Sequence, residues 1–524
     1  MPRLNRRLFV RQSLAATAGA FAASHPLFGR APAIVQSEAA LPSMPYGVSA
    51  GAAGPDRFVV WSRSDRPARM LVEYATTERF ADVRRIAGPA ALEGTDFTAR
   101  TVLAGLPRGQ RVFYRVTFQD LTDLRRISRP EMGSFVTAPA AASRDVSIAW
   151  SADTVGQGWG INPDWGGLRL YETMLKAEPD LFINSGDTIY ADQPVVAEVK
   201  LDDGTIWKNL VTEAKSRAAQ SVADFRGAYQ YNLGDAHMRR FNAATAQIVQ
   251  WDDHEVRDNW YPTRDLSADA KYTTKSMALI AEHARQAFLE YNPIPASADE
   301  TGRVYRTVDF GPLVEVFALD LRSYRGPNSA NRQPALDDAS ALAGATQIAW
   351  LKARLAASRA AWKIIASDMP IGAQVPDAPS YFDAFANADD GPPSGRELEL
   401  ADLLRFMKVQ RIRNVVWVTA DIHYCAAHHY HPTRAAFTEF DPFWEFVAGP
   451  LNAGTFGPNK MDATFGPEVK FTGIPPGMKP NRPPSEGFQF FGRMHVDRRT
   501  KAMTVTLHDL SGKAIFTQEL AHTA

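Results

Sequence analysis

Short apolar runs alternate with helical patterns from residue 145 to about residue 420. The runs are rich in β-branched, aromatic and aliphatic residues, which is typical of strands buried on both faces. Between two of them, Leu168, Tyr171 and Leu175 recur at the spacing of one helix face. This alternation predicts an α/β core, with strands at 146–150, 181–183, 248–251, 314–319, 362–366 and 415–418.

The segment before this core has a different pattern. Runs of β-branched and aromatic residues at 58–61, 70–74 and 112–116 are separated by Gly, Pro and Asp, as in a β-sandwich. Small residues at 138–143 are typical of a linker. We therefore predict a small β-sandwich domain at 34–139, followed by a larger α/β domain at 140–524.

The sequence pattern also predicts the structure of three further segments of the larger domain. Period-2 runs at 492–520 predict a closing hairpin. Long insertions at 193–223 and 377–395 predict loops that lie over the strand ends.

The first 33 residues contain a charged, an apolar and a small-residue part, in that order. Arg6 and Arg7 form a twin-arginine pair, and the apolar stretch 14–23 is too short to cross a bilayer as a helix. Small residues at 31–33 offer a cleavage site. The pattern predicts a twin-arginine signal peptide at 1–33, read by the twin-arginine export machinery of a bacterium, and a periplasmic or secreted location. No later apolar run is long enough for a transmembrane anchor.

Composition excludes several function classes. Among 524 residues, 45% are hydrophobic and 22% are charged, as in ordinary globular proteins. The 58 basic and 58 acidic residues balance, so the chain lacks the basic charge that favours nucleic acid or anionic membranes. Cys425 is the only cysteine, which excludes an internal disulfide bond and a multi-cysteine zinc site. We expect Cys425 to be a packed thiol.

Polar, chemically active side chains follow five of the predicted strands. Open α/β sheets place ligands at the carboxyl ends of their strands, so residues at these ends are expected to converge. One such residue alone would be interpreted as a turn residue. Polar residues after five strands instead favour a shared metal site, together with a cationic side chain that binds an anion. The residues are Asp153, Asp187, Tyr190, Asp253, His254, Arg322, Asp421 and His423.

The donor types suggest which cations would bind. Carboxylates, a phenol and an imidazole make an oxygen-rich site that suits hard ions such as Ca²⁺, while trivalent iron would suit the Tyr190 phenolate. Two or more adjacent ions can clamp a phosphoryl group and activate water as hydroxide to attack it. Arg322 could hold phosphate oxygens, and His254 could contact phosphate or protonate the leaving oxygen.

Four segments stand in order along the chain, 186–190 (GDTIY), 251–256 (WDDHEV), 319–325 (LDLRSYR) and 420–424 (ADIHY), with 445–451 (EFVAGPL) as a further one. They resemble the motif series of PhoD-like alkaline phosphatases, and the likeness runs from about residue 41 to the end. The resemblance implies a calcineurin-like metallophosphoesterase core of two packed sheets flanked by helices, which would make 140–524 the catalytic domain. It also implies iron and calcium ions, hydrolysis of phosphate monoesters and diesters, and secretion during phosphate acquisition.

Residue roles follow from this resemblance position by position. Asp187 matches the family's bridging carboxylate, and Tyr190 its iron-binding tyrosine. Asp253 stands where related phosphoesterases have a ligating Asn before the histidine that corresponds to His254. Arg322 falls on an Arg of the family motif. The remaining matches are Asp421 and His423 as late metal ligands, and Asn259 as a substrate-binding residue.

The chain departs from the family at one position. Better-known members have a Cys after the first strand, and this chain has Ala152 there, followed by Asp153. An iron ion would therefore lack its thiolate ligand, and Asp153 is the candidate replacement. The metal prediction is accordingly Ca²⁺ together with Fe³⁺, with the iron resting on Tyr190.

Small phosphate esters are thus the expected substrates, but alternatives stay open at this stage. A phosphodiesterase or phospholipase would use the same scaffold, and so would a non-catalytic protein that binds phosphate or cations. The aromatic residues Trp159, Trp165 and Trp260 follow ligand-bearing strands and fit pocket walls and core packing equally well. Three histidines lie close together in the sequence and are interpreted as a polar loop at the rim of the site: His428, His429 and His431.

Overall fold

The computed structural model of the protein describes residues 38–296 and 302–523. The predicted signal peptide, including Arg6 and Arg7, lies outside the described residues. Residues 38–40 form a short 3-10 turn that belongs to a separate unit, and all other elements belong to the unit 42–524. Within the described residues, no helix is both long and apolar enough to cross a membrane.

Strands make up most of the regular structure. Seven of them precede residue 140: β1 (Val48–Gly54), β2 (Arg57–Arg63), β3 (Ala68–Ala75), β4 (Arg84–Ala91), β5 (Thr98–Leu103), β6 (Arg111–Asp120) and β7 (Glu131–Val136). The later strands are β8 (Val146–Ser151), β9 (Leu181–Ser185), β10 (Glu198–Lys200), β11 (Ile206–Lys208), β12 (Ala246–Gln250), β13 (Arg306–Asp309), β14 (Val314–Ala318), β15 (Trp362–Ala366), β16 (Pro376–Ala378), β17 (Tyr381–Phe382), β18 (Val415–Thr419), β19 (Ala426–Tyr430), β20 (Phe443–Val447), β21 (Pro467–Thr472), β22 (Phe490–Val496), β23 (Met503–Asp509) and β24 (Ala514–Leu520).

The helices are short, and side-chain caps begin several of them. Ser221 and Asp224 form a reciprocal capping box at one start, and Asp235 and Ser276 accept backbone hydrogen bonds at two others. The helices are α1 (Arg169–Lys176), α2 (Val222–Leu233), α3 (Ala236–Ala244), α4 (Met277–Tyr291), α5 (Ala345–Ala357) and α6 (Glu397–Val409).

Two large sheets form the core. One has nine strands in the order β24-β23-β22-β8-β9-β12-β1-β2-β5, and the other has seven in the order β13-β14-β15-β18-β20-β19-β21. Their central strands are parallel: β8 pairs with β9, and β15 pairs with β18. The first two strands of the α/β core are therefore direct neighbours. The closing hairpin is confirmed, since β22, β23 and β24 pair antiparallel.

Alternate residues of each central strand point to opposite faces of the sheet, so one set of side chains packs between the two sheets and the other set packs under the helices. In β9, Leu181 and Ile183 join the core between the sheets, whereas Phe182 packs under the helices α1 to α4. In β15, Ile364 joins the same inner core and Ile365 packs under α5 and α6. Because both faces of each sheet are covered, the sequences of these strands are unbroken runs of apolar residues. The predicted fold of two packed sheets flanked by helices is confirmed.

The amino-terminal strands are divided between two sheets. Strands β4, β3, β6 and β7 form a four-stranded antiparallel sheet, and Phe58 of β2 stacks on Phe135 of β7 at 4.1 Å between ring centres. Strands β1, β2 and β5 instead extend the nine-stranded sheet, because β1 pairs in parallel with β12 at Gly51 and Gln247. The boundary at residues 139 and 140 stays a prediction.

Candidate metal centre

The predicted strand-end carboxylates do meet in space. Asp153 follows β8, Asp187 follows β9, Asp253 follows β12 and Asp421 follows β18, and the first three are almost fully buried. Within the described residues, the groups whose ligand atoms lie within 4.8 Å of one another are Asp153–Asp187–His423, Asp187–Asp253–His254 and Asp252–Asp253–Asp421. Asp187 belongs to the first two groups and Asp253 to the last two, so the three groups adjoin.

The backbone is turned sharply at these positions. Asp153, Asp187, Asp421 and His423 have φ angles of 65°, 49°, 66° and 60°, in the left-handed region that most non-glycine residues avoid. Such residues persist only where the surrounding structure holds them, and they concentrate at functional sites. Gly186, at φ 98°, also allows close approach, since a Cβ there would lie 2.5 Å from Cβ of Asp252.

Within the described part of the chain, protein groups alone leave several oxygens of these carboxylates without a hydrogen-bond donor. Among the described residues, none gives a hydrogen bond to either oxygen of Asp153, to Oδ1 of Asp253 or to Oδ2 of Asp421. Burial, and then repulsion from neighbouring carboxylates, raises the pKa of Asp153, Asp187 and Asp421 well above its usual range. In the ionised form that binds a metal ion, these buried carboxylates therefore require a counter-ion. The donor set therefore fits bound cations.

His423 and Tyr190 present donors to the same place. Nδ1 of His423 lies 2.6 Å from the carbonyl oxygen of Gly454, so this nitrogen carries the proton and donates it. Nε2 of His423 lies 2.8 Å from the phenol oxygen of Tyr190 and 3.9 Å from Oδ1 of Asp153. Burial lowers the pKa of His423 to about 4, so the ring is neutral and its Nε2 lone pair suits a metal ion.

His254 is held by a carboxylate that the sequence did not single out. Its Nδ1 lies 2.7 Å from Oδ1 of Asp192, and its ring stacks on Tyr190 at 4.2 Å. Nε2 faces Oδ1 of Asp253 at 4.0 Å. Burial by itself would lower the pKa of His254, but the charges of Asp253 and Asp192 raise it to about 10.

Arg322 occupies a different position from that expected of a phosphate clamp. Its side chain has no exposed surface, Nε contacts Oδ1 of Asp252, and Nη1 lies 2.7 Å from Oδ2 of Asp383. Nη2 is directed toward the metal-ligand candidates, 3.8 Å from Oδ1 of Asp421. Five carboxylates lie within 4.0 Å of the guanidinium and explain this burial, because the guanidinium partly balances their charge.

Asn259 joins the centre through its backbone. Its amide N–H donates to Oδ2 of Asp253 at 2.6 Å, and its side-chain nitrogen donates to Asp377 at 3.0 Å. The half-exposed Asn259 thus fixes one ligand candidate.

Several other sequence candidates belong to the packed fold. The prediction of a rim loop is wrong for His428 and His429, which lie in β19, and His428 is buried and pairs through Nδ1 with Oε2 of Glu445 at 2.8 Å. Trp260 packs in the core against Trp251, and Trp159 is also buried. Cys425 is a buried thiol whose pKa is raised by burial.

Three carboxylates near the centre were not predicted. Asp252 belongs to the same motif as Asp253, and Asp192 ends the stretch that contains Asp187, so nearness in sequence was an available signal. Asp368, which is fully buried, lies two residues beyond β15, where the strand-end rule would have found it. Buried Glu255, in contrast, accepts the backbone N–H groups of residues 187, 188 and 252 and holds the turns together.

Sequence comparison decides the family. The family model for PhoD-like phosphatase matches residues 148–507, and the one for its N-terminal domain matches residues 29–139. The chain belongs to the PhoD-like phosphatase family. Membership makes this protein a hydrolase of phosphoric ester bonds, which decides against a non-catalytic binding protein.

Relatives of the family agree with this assignment. Alkaline phosphatase D of Bacillus subtilis (strain 168) is 25% identical over 447 residues, which cover 80% of this chain and 71% of the relative. A solved structure of PhoD matches with a TM-score of 0.66 at 19% identity and covers 92% of both chains. Purple acid phosphatase PPD1 from yellow lupin (Lupinus luteus) seeds matches with a TM-score of 0.56 at 11% identity, over 92% of this chain and 74% of that chain. The two structures share a metallophosphoesterase-like fold with this protein.

Proposed function

We propose that this protein is an exported alkaline phosphatase that hydrolyses phosphate monoesters and diesters with cations held by the carboxylates of the three adjoining groups. The observation that carries the proposal is the sharing of Asp187 and Asp253 between groups, which would place cations side by side. Adjacent cations stabilise the charge of a phosphoryl group and activate water for attack on phosphorus.

The donor types assign ions to the groups. Asp153, Asp187, Tyr190 and His423 would hold Fe³⁺, because a phenolate suits a trivalent ion and Asp153 stands near the absent thiolate. Asp253 and Asp421, together with Asp252, would hold Ca²⁺, which prefers carboxylate oxygens.

The remaining residues would act on the substrate. His254 is anchored through Nδ1 by Asp192, so its Nε2 is free to protonate the leaving oxygen. Asn259 would contact the phosphate from the half-exposed side. Arg322 would act through its Nη2, as a positive charge beside the ligands, because its two other nitrogens are already engaged.

A chelation experiment tests this function. The purified protein would be stripped with a chelator and assayed with a chromogenic phosphate monoester and diester, before and after Ca²⁺ is restored. Activity should vanish on stripping and return at least in part with Ca²⁺, and Asp187→Asn should abolish it while the exposed strand-end variant Asp309→Asn keeps it. Full activity without metal would contradict the proposal. A large preference for the diester would favour the phosphodiesterase or phospholipase alternative.

Export and domain division belong to the same proposal. The segment 1–33 would direct the folded protein through the twin-arginine machinery to the periplasm or beyond. The segment 34–139 would support the catalytic domain 140–524, and β1, β2 and β5 provide the contact by extending its sheet.

A further inference from the structure

Asp383 is a buried carboxylate that lies between two arginines. Its Oδ2 accepts a hydrogen bond from Nη1 of Arg322 at 2.7 Å, and its Oδ1 accepts one from Nη2 of Arg325 at 2.5 Å. The side chains of all three residues have no exposed surface. Arg322 and then Arg325 hold the pKa of Asp383 well below its usual range despite its burial, so the carboxylate is charged.

Asp383 comes from the long insertion at 377–395, which the sequence predicted to be a loop over the strand ends. In the structure this insertion contains most of the short strand β16 and all of β17, and directly after β17 it brings Asp383 into contact with Arg322. Arg396, also fully buried, fixes the same segment by donating to the carbonyl oxygens of Phe382 and Ala384. The insertion therefore places a charged group behind Arg322 at a defined position.

The position of Arg322 matters because its free nitrogen lies close to two ligand candidates. Nη2 is 3.8 Å from Oδ1 of Asp421 and 4.0 Å from Oδ2 of Asp253. Charge-assisted hydrogen bonds of this kind measure about 2.7 to 2.9 Å, so the guanidinium stops roughly 1 Å short of both carboxylates. Among the described residues, Nη2 has no hydrogen-bond acceptor.

We propose that Asp383 is a positioning residue that holds Arg322 away from Asp253 and Asp421 and so keeps their oxygens available to a cation. Without Asp383, the carboxylates that remain within 4.0 Å of the Arg322 guanidinium are Asp252 and Asp368, which face Nε, and the ligand candidates Asp253 and Asp421, which face Nη2. A guanidinium that moved by about 1 Å would form ion pairs with these ligand candidates and compete directly with the bound cation. The inference rests on the proposed function only in taking Ca²⁺ as the cation.

The test is a double-mutant cycle that measures Ca²⁺ binding to chelator-stripped protein by calorimetry. Asp383→Asn keeps the size of the side chain and removes its charge, so the dissociation constant of the Ca²⁺ held by Asp253 and Asp421 should rise at least tenfold. In an Arg322→Gln background, which lacks the competing guanidinium, Asp383→Asn should change the constant less than threefold. An equal effect in both backgrounds would overturn the inference, and so would a wild type that binds no Ca²⁺.

Enzyme kinetics add a readout that a merely structural role would not move. In Asp383→Asn the Ca²⁺ concentration for half-maximal activity should rise with the dissociation constant, while saturating Ca²⁺ restores kcat toward that of wild type. Glu439→Gln, which removes the exposed partner of Arg405, is the matched control and should change neither quantity. A lowered melting temperature with unchanged Ca²⁺ dependence would show that Asp383 only stabilises the fold.

A second variant and the absence of substrate in the binding measurement make the test of Asp383 independent of folding and of catalysis. If Asp383→Asn does not fold, Asp383→Glu keeps the charge and displaces the carboxylate, and normal Ca²⁺ affinity in that variant would overturn the inference. Because binding is measured without substrate, a protein that binds Ca²⁺ and hydrolyses no ester would refute the proposed function and leave the role of Asp383 standing.

Discussion

Nε2 of His423 and the phenol oxygen of Tyr190 lie 2.8 Å apart, although 233 residues separate them in the chain. The proton of His423 is on the other ring nitrogen, which donates to Gly454, so Nε2 can accept from the phenol or bind an ion beside it. A cation at this point would take the place of the phenol proton and gain two ligands at once. The pair is therefore the part of the centre that best reports metal identity.

Removal of the Tyr190 phenol should show whether this ion is iron. A phenolate on Fe³⁺ absorbs visible light, so the wild type should be coloured, and Tyr190→Phe should lose the colour, most of the iron and at least tenfold in turnover. Absorption spectra and elemental analysis measure these losses. Tyr114→Phe removes a buried phenol in strand β6 of the separate four-stranded sheet, and this control should keep colour and activity. A colourless, fully active wild type that contains only calcium would show that the iron assignment is wrong.

The candidate site was predictable to the extent that its residues follow strands. Asp153 and Asp187 come directly after apolar runs, and parallel strands joined by a short helix lie side by side, so their nearness followed from the pattern. The two-layer core followed in the same way, because unbroken apolar runs such as 181–183 indicate strands covered on both faces.

The contacts behind the site have no comparable local signal. Asp383 meets Arg322 across 61 residues, and the insertion that contains it shows no period in its apolar residues. The burial of Arg322 could not be predicted either, because it depends on which carboxylates surround the strand end once the sheets have packed. Strand β1, which the apolar pattern did not predict, pairs with β12, and this pairing depends on tertiary packing rather than on local sequence.

Asp153 tests the departure from the family pattern. Asp153→Asn leaves a side chain of the same size, which tolerates the left-handed backbone conformation but carries no negative charge to bind the ion. We expect turnover to fall at least a hundredfold and the rise in melting temperature on adding metal to shrink. The metal-free variant should unfold at the same temperature as metal-free wild type or higher, because one buried charge is gone.

The control for Asp153 is Asp309→Asn, which changes an exposed aspartate at the end of strand β13. This variant should change the free energy of unfolding by about 1 kcal/mol or less and leave turnover unchanged. Unchanged turnover and metal content in Asp153→Asn would show that Asp153 is only a turn residue.

The export proposal is tested in cells. Arg6→Lys combined with Arg7→Lys should leave the precursor in the cytoplasm, because the export receptor reads the arginine pair itself. Cell fractionation with immunoblotting measures the distribution, and the control is Arg11→Lys, which changes a basic residue outside the pair. Equal extracytoplasmic yield from the paired variant and from wild type would contradict the signal assignment.

Glu397 predicts a pH dependence of stability that is separate from the metal centre. It lies in the first turn of α6, its Oε2 accepts a hydrogen bond from Asn387 at 2.8 Å, and among the described residues no donor reaches its Oε1. Burial, followed by the charges of Asp462 and Asp389, raises the pKa of Glu397 to about 8. Folded protein therefore holds this proton up to about pH 8, whereas the unfolded chain releases it near the ordinary Glu value of about 4.3.

Because the folded-state pKa is raised, the contribution of Glu397 to stability is fully present below about pH 4.3 and is lost as the pH rises to about 8. Over that window, the free energy of unfolding should fall by up to about 1.4 kcal/mol per pH unit through this group. Glu397→Gln keeps an acceptor for Asn387 and has no proton to lose, so its denaturation midpoint should exceed that of wild type most clearly above pH 8. Urea titrations from pH 5 to 9 measure the difference, with the exposed Glu519→Gln as a control that should follow wild type. A constant difference between Glu397→Gln and wild type across this range would show that Glu397 is ionised in the folded protein and that Asn387 and its neighbours compensate its charge.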